Sequence, residues 1–168
     1  KEMDLAVGMN IRNIGSKISY TTIKKNFIPT NMKVGASVNF HLDEYNSLMV
    51  TTDLNKLLVP TPPAYKTDSE GRRTDTILSG MDPNVSVPQG MLQSFYDAPG
   101  GIKEELHEIK YSVGMEYWYQ DVFAVRAGYF HEHQTKGNRK YFTMGVGLKL
   151  NVFQADFADV SLPVLHHL

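Results

Sequence analysis

The sequence predicts an all-β protein whose antiparallel strands form a transmembrane β-barrel. Three observations lead to this fold class. Apolar and polar side chains alternate with a period of two over six stretches, which places the two sets on opposite faces of a strand. The stretches are about ten residues long, which suits a tilted strand that crosses a bilayer and exceeds the common soluble length of about five or six. Aromatic side chains lie at strand ends on the apolar face, as in interfacial girdles.

The alternating stretches follow one another along most of the chain. In order they are 5–11, 32–42, 47–55, 109–119, 122–131 and 142–152, with a weaker seventh at 153–160. In the fourth, Tyr111, Val113 and Met115 alternate with Ser112 and Gly114. All eight prolines fall outside the first six stretches, as strand hydrogen bonding requires.

The connections between these stretches alternate between tight and long. The tight ones are 41–47, 119–122 and 151–154, and the long ones are 21–30, 58–106 and 132–140. In outer-membrane barrels tight turns face the periplasm and long loops face outside. This orientation predicts a periplasmic aromatic girdle of Phe40, Tyr45, Tyr117, Tyr119, Phe123 and Phe153. At the opposite interface it places Tyr129, together with Tyr20, Tyr111 and Phe142.

Composition limits the possible function classes. The net charge is −1, so nothing favours binding to nucleic acid, and the absence of cysteine excludes disulfides and thiolate metal sites. No apolar run approaches the ~20 residues of a transmembrane helix. The chain begins with Lys1, so it reads as a processed or truncated piece. A soluble antiparallel sandwich or a lipocalin-like barrel is the alternative fold, since both also alternate.

The segment 58–106 is the predicted functional loop. A Pro-rich exit leads into a polar, mobile stretch, KTDSEGRRTD, and Ser86 then begins a short helix with Pro88 in its first turn. Helical spacing places Met91, Leu92, Phe95 and Tyr96 on one side of this helix, and one further helical turn follows at 102–107. The predicted protein-binding residues are Met91, Leu92, Phe95, Tyr96 and Ile102. Alternatively the helix folds inward and plugs the barrel mouth, and both uses can coexist.

The remaining polar residues suggest no chemistry. No motif indicates catalysis or cofactor binding, so we expect neither an enzyme nor a cofactor. His131 and His133 share strand spacing, but no third ligand is near, so an exposed hairpin end is favoured over a metal pair. Charged residues predicted to face the lumen either line a conduction path or pair with one another. They are Arg12, Asp53, Lys110, Glu116, Arg126 and Lys149.

Four segments resemble the PorV family, FadL-like outer-membrane proteins of the Bacteroidota type IX secretion system. The segments are AVGMNIRNIGSKISY, NFIPTNMKVGASVNFHLDEYNSLMV, VPQGMLQSFYDAPGGIKEELHEIKYSVGMEYWYQDVFAVRAGYFHEHQTKGNRKYF and MGVGLKLNVFQADFADVSLP. The likeness covers nearly the whole chain and is most specific over 80–162.

The resemblance implies a barrel of about 14 strands, of which this chain supplies about seven in the C-terminal half. It also implies a carrier that takes C-terminal signal domains of secreted cargo from the translocon pore protein to the surface attachment complex. Residues 1–162 are then a partial outer-membrane barrel in contact with lipid. The tail 163–168 does not look like the family and is read as artificial or misassigned sequence.

Overall fold

The computed structural model describes residues 2–19 and 25–163. The strands are β1 (Met3–Arg12), β2 (Ile18–Ser19), β3 (Lys25–Asn26), β4 (Asn31–His41), β5 (Asn46–Leu57), β6 (Ala64–Thr67), β7 (Arg73–Ser79), β8 (Lys110–Tyr119), β9 (Phe123–His131), β10 (Lys140–Leu150) and β11 (Phe153–Pro163). The helices are α1 (Val87–Gln93), α2 (Ile102–His107) and a 3-10 turn at Gln134–Lys136.

The long strands form one seven-stranded sheet in the order β1-β4-β5-β8-β9-β10-β11. The β8–β9, β9–β10 and β10–β11 ladders are antiparallel. Each of the seven predicted stretches forms one of these strands, so the antiparallel β-sheet is confirmed. The tight β8–β9 connection has three residues and turns at Gln120 and Asp121, whose φ angles of 54° and 55° lie in the left-handed region.

The apolar face of this sheet is the more exposed one. Along β8 exposed and half-buried residues alternate strictly, and the exposed set is the apolar one. Its members are Tyr111, Val113, Met115, Tyr117 and Tyr119. On β10, Met144, Val146 and Leu148 are exposed in the same way. A soluble sheet with one wet face would bury this set and expose the polar one.

The chain divides into two compact units. Of the described residues, the first contains 2–9, 34–54 and 110–163, and therefore most of the long strands. The second contains 10–19, 25–33 and 55–109, and therefore both helices and the β6–β7 hairpin. We call the second one the loop unit.

The polar stretch 66–75, which is predicted to be mobile, contains the facing ends of the β6–β7 hairpin and its turn. One Asp68 carboxylate oxygen accepts hydrogen bonds from the backbone N–H groups of Glu70 and Arg72, at 2.9 and 2.8 Å. The Arg73 guanidinium lies 3.5 Å from the centre of the Tyr65 ring and ties the two strands together. Local hydrogen bonds therefore specify a turn within this polar stretch.

Two predictions fall on residues outside the described ranges. These are the placement of Tyr20 at an interface and the interpretation of the tail, of which residues 164–168 are not described. Among the residues that are described, no helix has the length and apolar character needed to span a bilayer.

Candidate protein-binding site on the long loop

A buried ionic cluster holds the loop unit together. The Lys56 ammonium lies 2.9 Å from a Glu105 carboxylate oxygen and 2.8 Å from a Glu108 carboxylate oxygen. The Thr61 hydroxyl donates to the other Glu108 oxygen at 2.8 Å, and the backbone N–H of Ala98 donates to the other Glu105 oxygen at 2.8 Å. The cluster thus fixes α2 against the end of β5, and each oxygen of the two carboxylates accepts a hydrogen bond, as burial of an ion pair requires.

Asp97 is a second buried acid in this unit. One carboxylate oxygen accepts a hydrogen bond from the Thr61 backbone N–H at 3.0 Å, whereas Oδ1 has no partner within the described residues. Burial raises the pKa of Asp97 above its ordinary value, and the negative charge of Glu105 acts in the same direction.

The helix α1 turns its small and polar side inward. Gly90, Gln93 and Ser94 are buried. A Cβ at Gly90 would lie 2.7 Å from the Phe27 ring, so only glycine allows this close approach. Ser86 is the N-cap residue and Pro88 lies in the first turn, as predicted, but the Ser86 side chain makes no capping hydrogen bond.

The apolar side chains of this segment point outward. They are Leu92, Phe95, Tyr96, Ile102 and Leu106, with exposed fractions between 44% and 81%. Phe95, Tyr96, Ile102 and Leu106 also line a groove of about 300 Å³ together with Lys56, Gly101, Glu105 and Ile109. The unit therefore buries polar side chains alongside Leu58 and Ala98 and exposes an apolar rim, a distribution that fits a surface for another protein.

The structure places four of the five predicted binding residues on this rim and modifies two details. Met91 is only half-buried and does not line the groove. The helix ends at Gln93, so Phe95 and Tyr96 lie in the turn that follows it. At the start of this turn the backbone N–H of Ser94 donates to the carbonyl of Gly90, and the Ser94 hydroxyl donates to the carbonyl of Met91. We did not predict Leu106, although its i, i+4 spacing from Ile102 was a usable signal. The pairing of Lys56 with α2 left no signal in the sequence.

The predicted polar residues of the sheet are brought together in part. Arg126 bonds to Glu116, directly opposite it in the ladder, and to Asp156 at 2.5 Å. Glu116 also accepts from the indole N–H of Trp118 at 2.6 Å. Gly147 makes room for this group, because a Cβ there would lie 2.8 Å from the Arg126 guanidinium. These charges therefore pair along one face of the sheet.

The other predicted polar residues lie apart from that group. Arg12 bonds to Asn10 at 3.0 Å, Asp53 lies beside Gly35, and Lys149 lies opposite Gln154. Lys110 pairs at 3.0 Å with Glu132, which follows β9.

Glu132 closes the long β9–β10 loop. It is buried and accepts two hydrogen bonds from Arg139, at 2.6 and 3.2 Å. The bonds from Arg139, followed by the bond and charge of Lys110, lower the pKa of Glu132 to about 2. In the same loop His131 stacks on Tyr111 at 4.6 Å and the His133 ring accepts from the backbone of Thr135. The described residues contain no group of three potential metal ligands.

The predicted girdle residues occupy both ends of the sheet. Tyr119 pairs with Phe123, and Phe153 pairs with Leu150, both beside tight turns. The Tyr117 hydroxyl bonds to Asn46, and the carbonyl of Tyr45 accepts from the N–H of Gln120 at 2.6 Å. Phe40 is exposed one residue before β4 ends. Tyr129 lies at the other end, 4.8 Å from the Phe142 ring.

Comparison with known proteins adds a family. The family model described as "Type IX secretion system protein PorV" matches residues 3–64. No curated protein matches the sequence. The matched range covers β1 to the start of β6, so the likeness over 80–162 remains a prediction. PorV is a family of secretion-system components and is not known as an enzyme family. The match confirms the resemblance deduced from the residues: over residues 3–64 the chain is similar to the PorV family of the type IX secretion system.

Proposed function

We propose that this protein is an outer-membrane component of the type IX secretion system that binds the C-terminal signal domains of secreted cargo and shuttles them. The cargo would pass from the translocon pore protein to the surface attachment complex. The observation that carries the proposal is the apolar rim of Leu92, Phe95, Tyr96, Ile102 and Leu106 on a polar-packed loop unit. A rim of this kind has an energetic reason to be covered by protein.

The membrane part of the proposal rests on the exposed apolar face of the sheet. Side chains such as Met115 and Met144 are favourable there in contact with lipid and unfavourable in water. The strands are 9 to 12 residues long, enough to cross a bilayer at a tilt. In the described sheet β1 and β11 are each paired on one side, and lipid tolerates no open edge. We therefore propose a FadL-like barrel of about 14 strands, with the girdle and lumen residues in their predicted roles.

A pull-down of a cargo signal domain tests the proposal. We expect Leu92→Ser combined with Phe95→Ser to lower recovery by about tenfold or more, because central apolar anchors dominate such interfaces. Leu78→Ser is the matched control, since Leu78 on the hairpin is 66% exposed and Leu92 is 67% exposed. Heat-modifiable migration in gels checks that both variants still fold.

The alternative is a FadL-like transporter of hydrophobic small molecules. A transporter needs the rim residues inside a greasy pocket, so the double variant would lose uptake and keep cargo recovery. Equal recovery of cargo by the wild type and the double variant would refute the assigned site.

A further inference from the structure

One carboxylate lies on the apolar face of the sheet. Asp159 on β11 is directly opposite Met144 on β10. Met144 in turn is opposite Ala127, and Ala127 is opposite Met115. Directly paired residues of an antiparallel ladder share a face, so Asp159 completes a row that is otherwise apolar.

The rows on either side confirm this orientation. Phe157, two residues before Asp159, is opposite Val146, which is opposite Val125. Phe157 is exposed, as are Met144 and Val146. The polar partners of Arg126 lie on the other face, since Asp156 is one residue out of phase with Phe157.

The row of Asp159 lies inside the apolar band rather than at its edge. Asp159 follows the girdle residue Phe153 by six positions, which is ~20 Å along a strand and ~15 Å along the membrane normal at a tilt of ~40°. At the other end Phe142 of the opposite girdle is paired with Ser161, two residues beyond Asp159, so the row of Asp159 lies ~7 Å along the strand and ~5 Å along the normal inside that girdle. An ionised carboxylate is costly at that depth unless a cation or hydrogen-bond donor meets it.

The described strands do not provide that cation. On this face of β8–β10 the basic side chains are His131 and Lys140, which are directly opposite each other in the last row of the β9–β10 ladder. Lys140 is four residues from Met144, about 14 Å along the strand, beyond the reach of its side chain toward Asp159.

We infer that the outer face of β11 at Asp159 is covered by a membrane-embedded segment of a partner protein, which presents a lysine or arginine to this carboxylate. The inference rests on the proposed function, because it takes the apolar face as the lipid side. Charge complementarity selects the occupant: lipid tails offer no donor, whereas a basic side chain pairs with the carboxylate in the apolar surroundings. A basic residue on another strand of the same barrel is the competing source.

Two measurements on the intact protein separate these sources. In liposomes, without other proteins, we expect Asp159→Leu to raise the urea midpoint of unfolding, since the wild type then carries an uncompensated carboxylate in lipid. In native membranes we expect Asp159→Leu to lower co-purification of the secretion-system partner by about tenfold or more. Phe157→Leu, on the same face and strand, is the control and should change neither value. A photo-cross-linker at position 159 should form its adduct within a few residues of a lysine or arginine of that partner.

Each other outcome overturns the inference. A lower urea midpoint for Asp159→Leu would place the cation within the barrel itself. If the cross-linker forms adducts with lipid alone, or if Asp159→Leu leaves co-purification unchanged, this face of β11 contacts lipid and not a partner protein. If the wild type remains folded in buffer without detergent and does not enter liposomes, the proposed membrane function fails as well, which distinguishes the two failures.

Discussion

Replacing Lys56 by methionine tests whether the buried ionic cluster holds the loop unit in shape. The side chain of Lys56 lies 2.9 and 2.8 Å from two carboxylates and is almost fully buried. Each contact is worth on the order of 5 kcal/mol at an effective dielectric constant of about 20, before the cost of desolvation is subtracted. Removing one member of such a buried group typically costs about 3–5 kcal/mol, because the remaining charges stay buried and uncompensated.

Hydrogen exchange measures this effect locally. We expect the amide protection of α2 to fall by about two to four orders of magnitude, since each factor of ten corresponds to about 1.4 kcal/mol. The amides of β9 and β10 serve as an internal reference and should not change. The cargo pull-down should weaken in parallel, because Phe95 and Ile102 are positioned by the same cluster.

A neutralised cluster provides the control. The triple variant Lys56→Met, Glu105→Gln and Glu108→Gln removes all three charges and keeps acceptors for the N–H of Ala98 and the hydroxyl of Thr61. It should recover much of the protection that the single variant loses. Unchanged protection in Lys56→Met, or a triple variant as weak as the single one, would refute the reasoning.

Two further predictions concern pH. The pKa of Asp97 is raised in the fold, so the fold favours the protonated form of this side chain. The contribution of Asp97 to the free energy of unfolding is therefore complete at low pH and is lost as the pH rises through the raised pKa. Asp97→Asn should therefore stabilise the loop unit at pH 7 and flatten this decline, as seen by hydrogen exchange of α1 and α2; a destabilised variant at pH 7 would contradict the assignment. The pKa of Glu132 is lowered from 4.5 to about 2. The contribution of Glu132 to the free energy of unfolding is therefore complete above about pH 4.5 and is lost as the pH falls through about 2. The shift corresponds to up to about 3 kcal/mol, so Glu132→Gln should expose the β9–β10 loop to protease at neutral pH, whereas Gln134→Glu in the same loop should not.

The strands could be predicted because their pattern is local. Alternation with a period of two fixes which residues of β8 share a face, and the short turn at Gln120 and Asp121 fixes the register with β9. The outer row of Met115, Ala127 and Met144 follows directly. The alternation becomes weak in β11, because Asp159 and Ser161 occupy positions of the apolar face and Val160 occupies a position of the other face. The weak signal therefore marks the end of this strand at which the pattern fails.

The loop unit was less predictable because its interior is polar. Pattern reasoning expects a polar run to be solvated and an apolar run to be buried, and this segment does the opposite at several positions. Lys56 is 49 residues from Glu105 and 52 residues from Glu108 in the sequence, and no local pattern connects the lysine with either acid. Their partners become known only from the fold.

A polar interior also gives the loop unit a way to keep its apolar rim available. If Leu92, Phe95 and Tyr96 supplied the core, they would be buried and no longer able to bind a partner. Hydrogen-bonded charges replace them inside, since Lys56, Glu105 and Asp97 fix the backbone through specific contacts. Side chains held on a fixed backbone lose less entropy on binding than those on a free loop. The ionic cluster therefore belongs to the proposed binding site, although a partner that docks on the rim need not touch it.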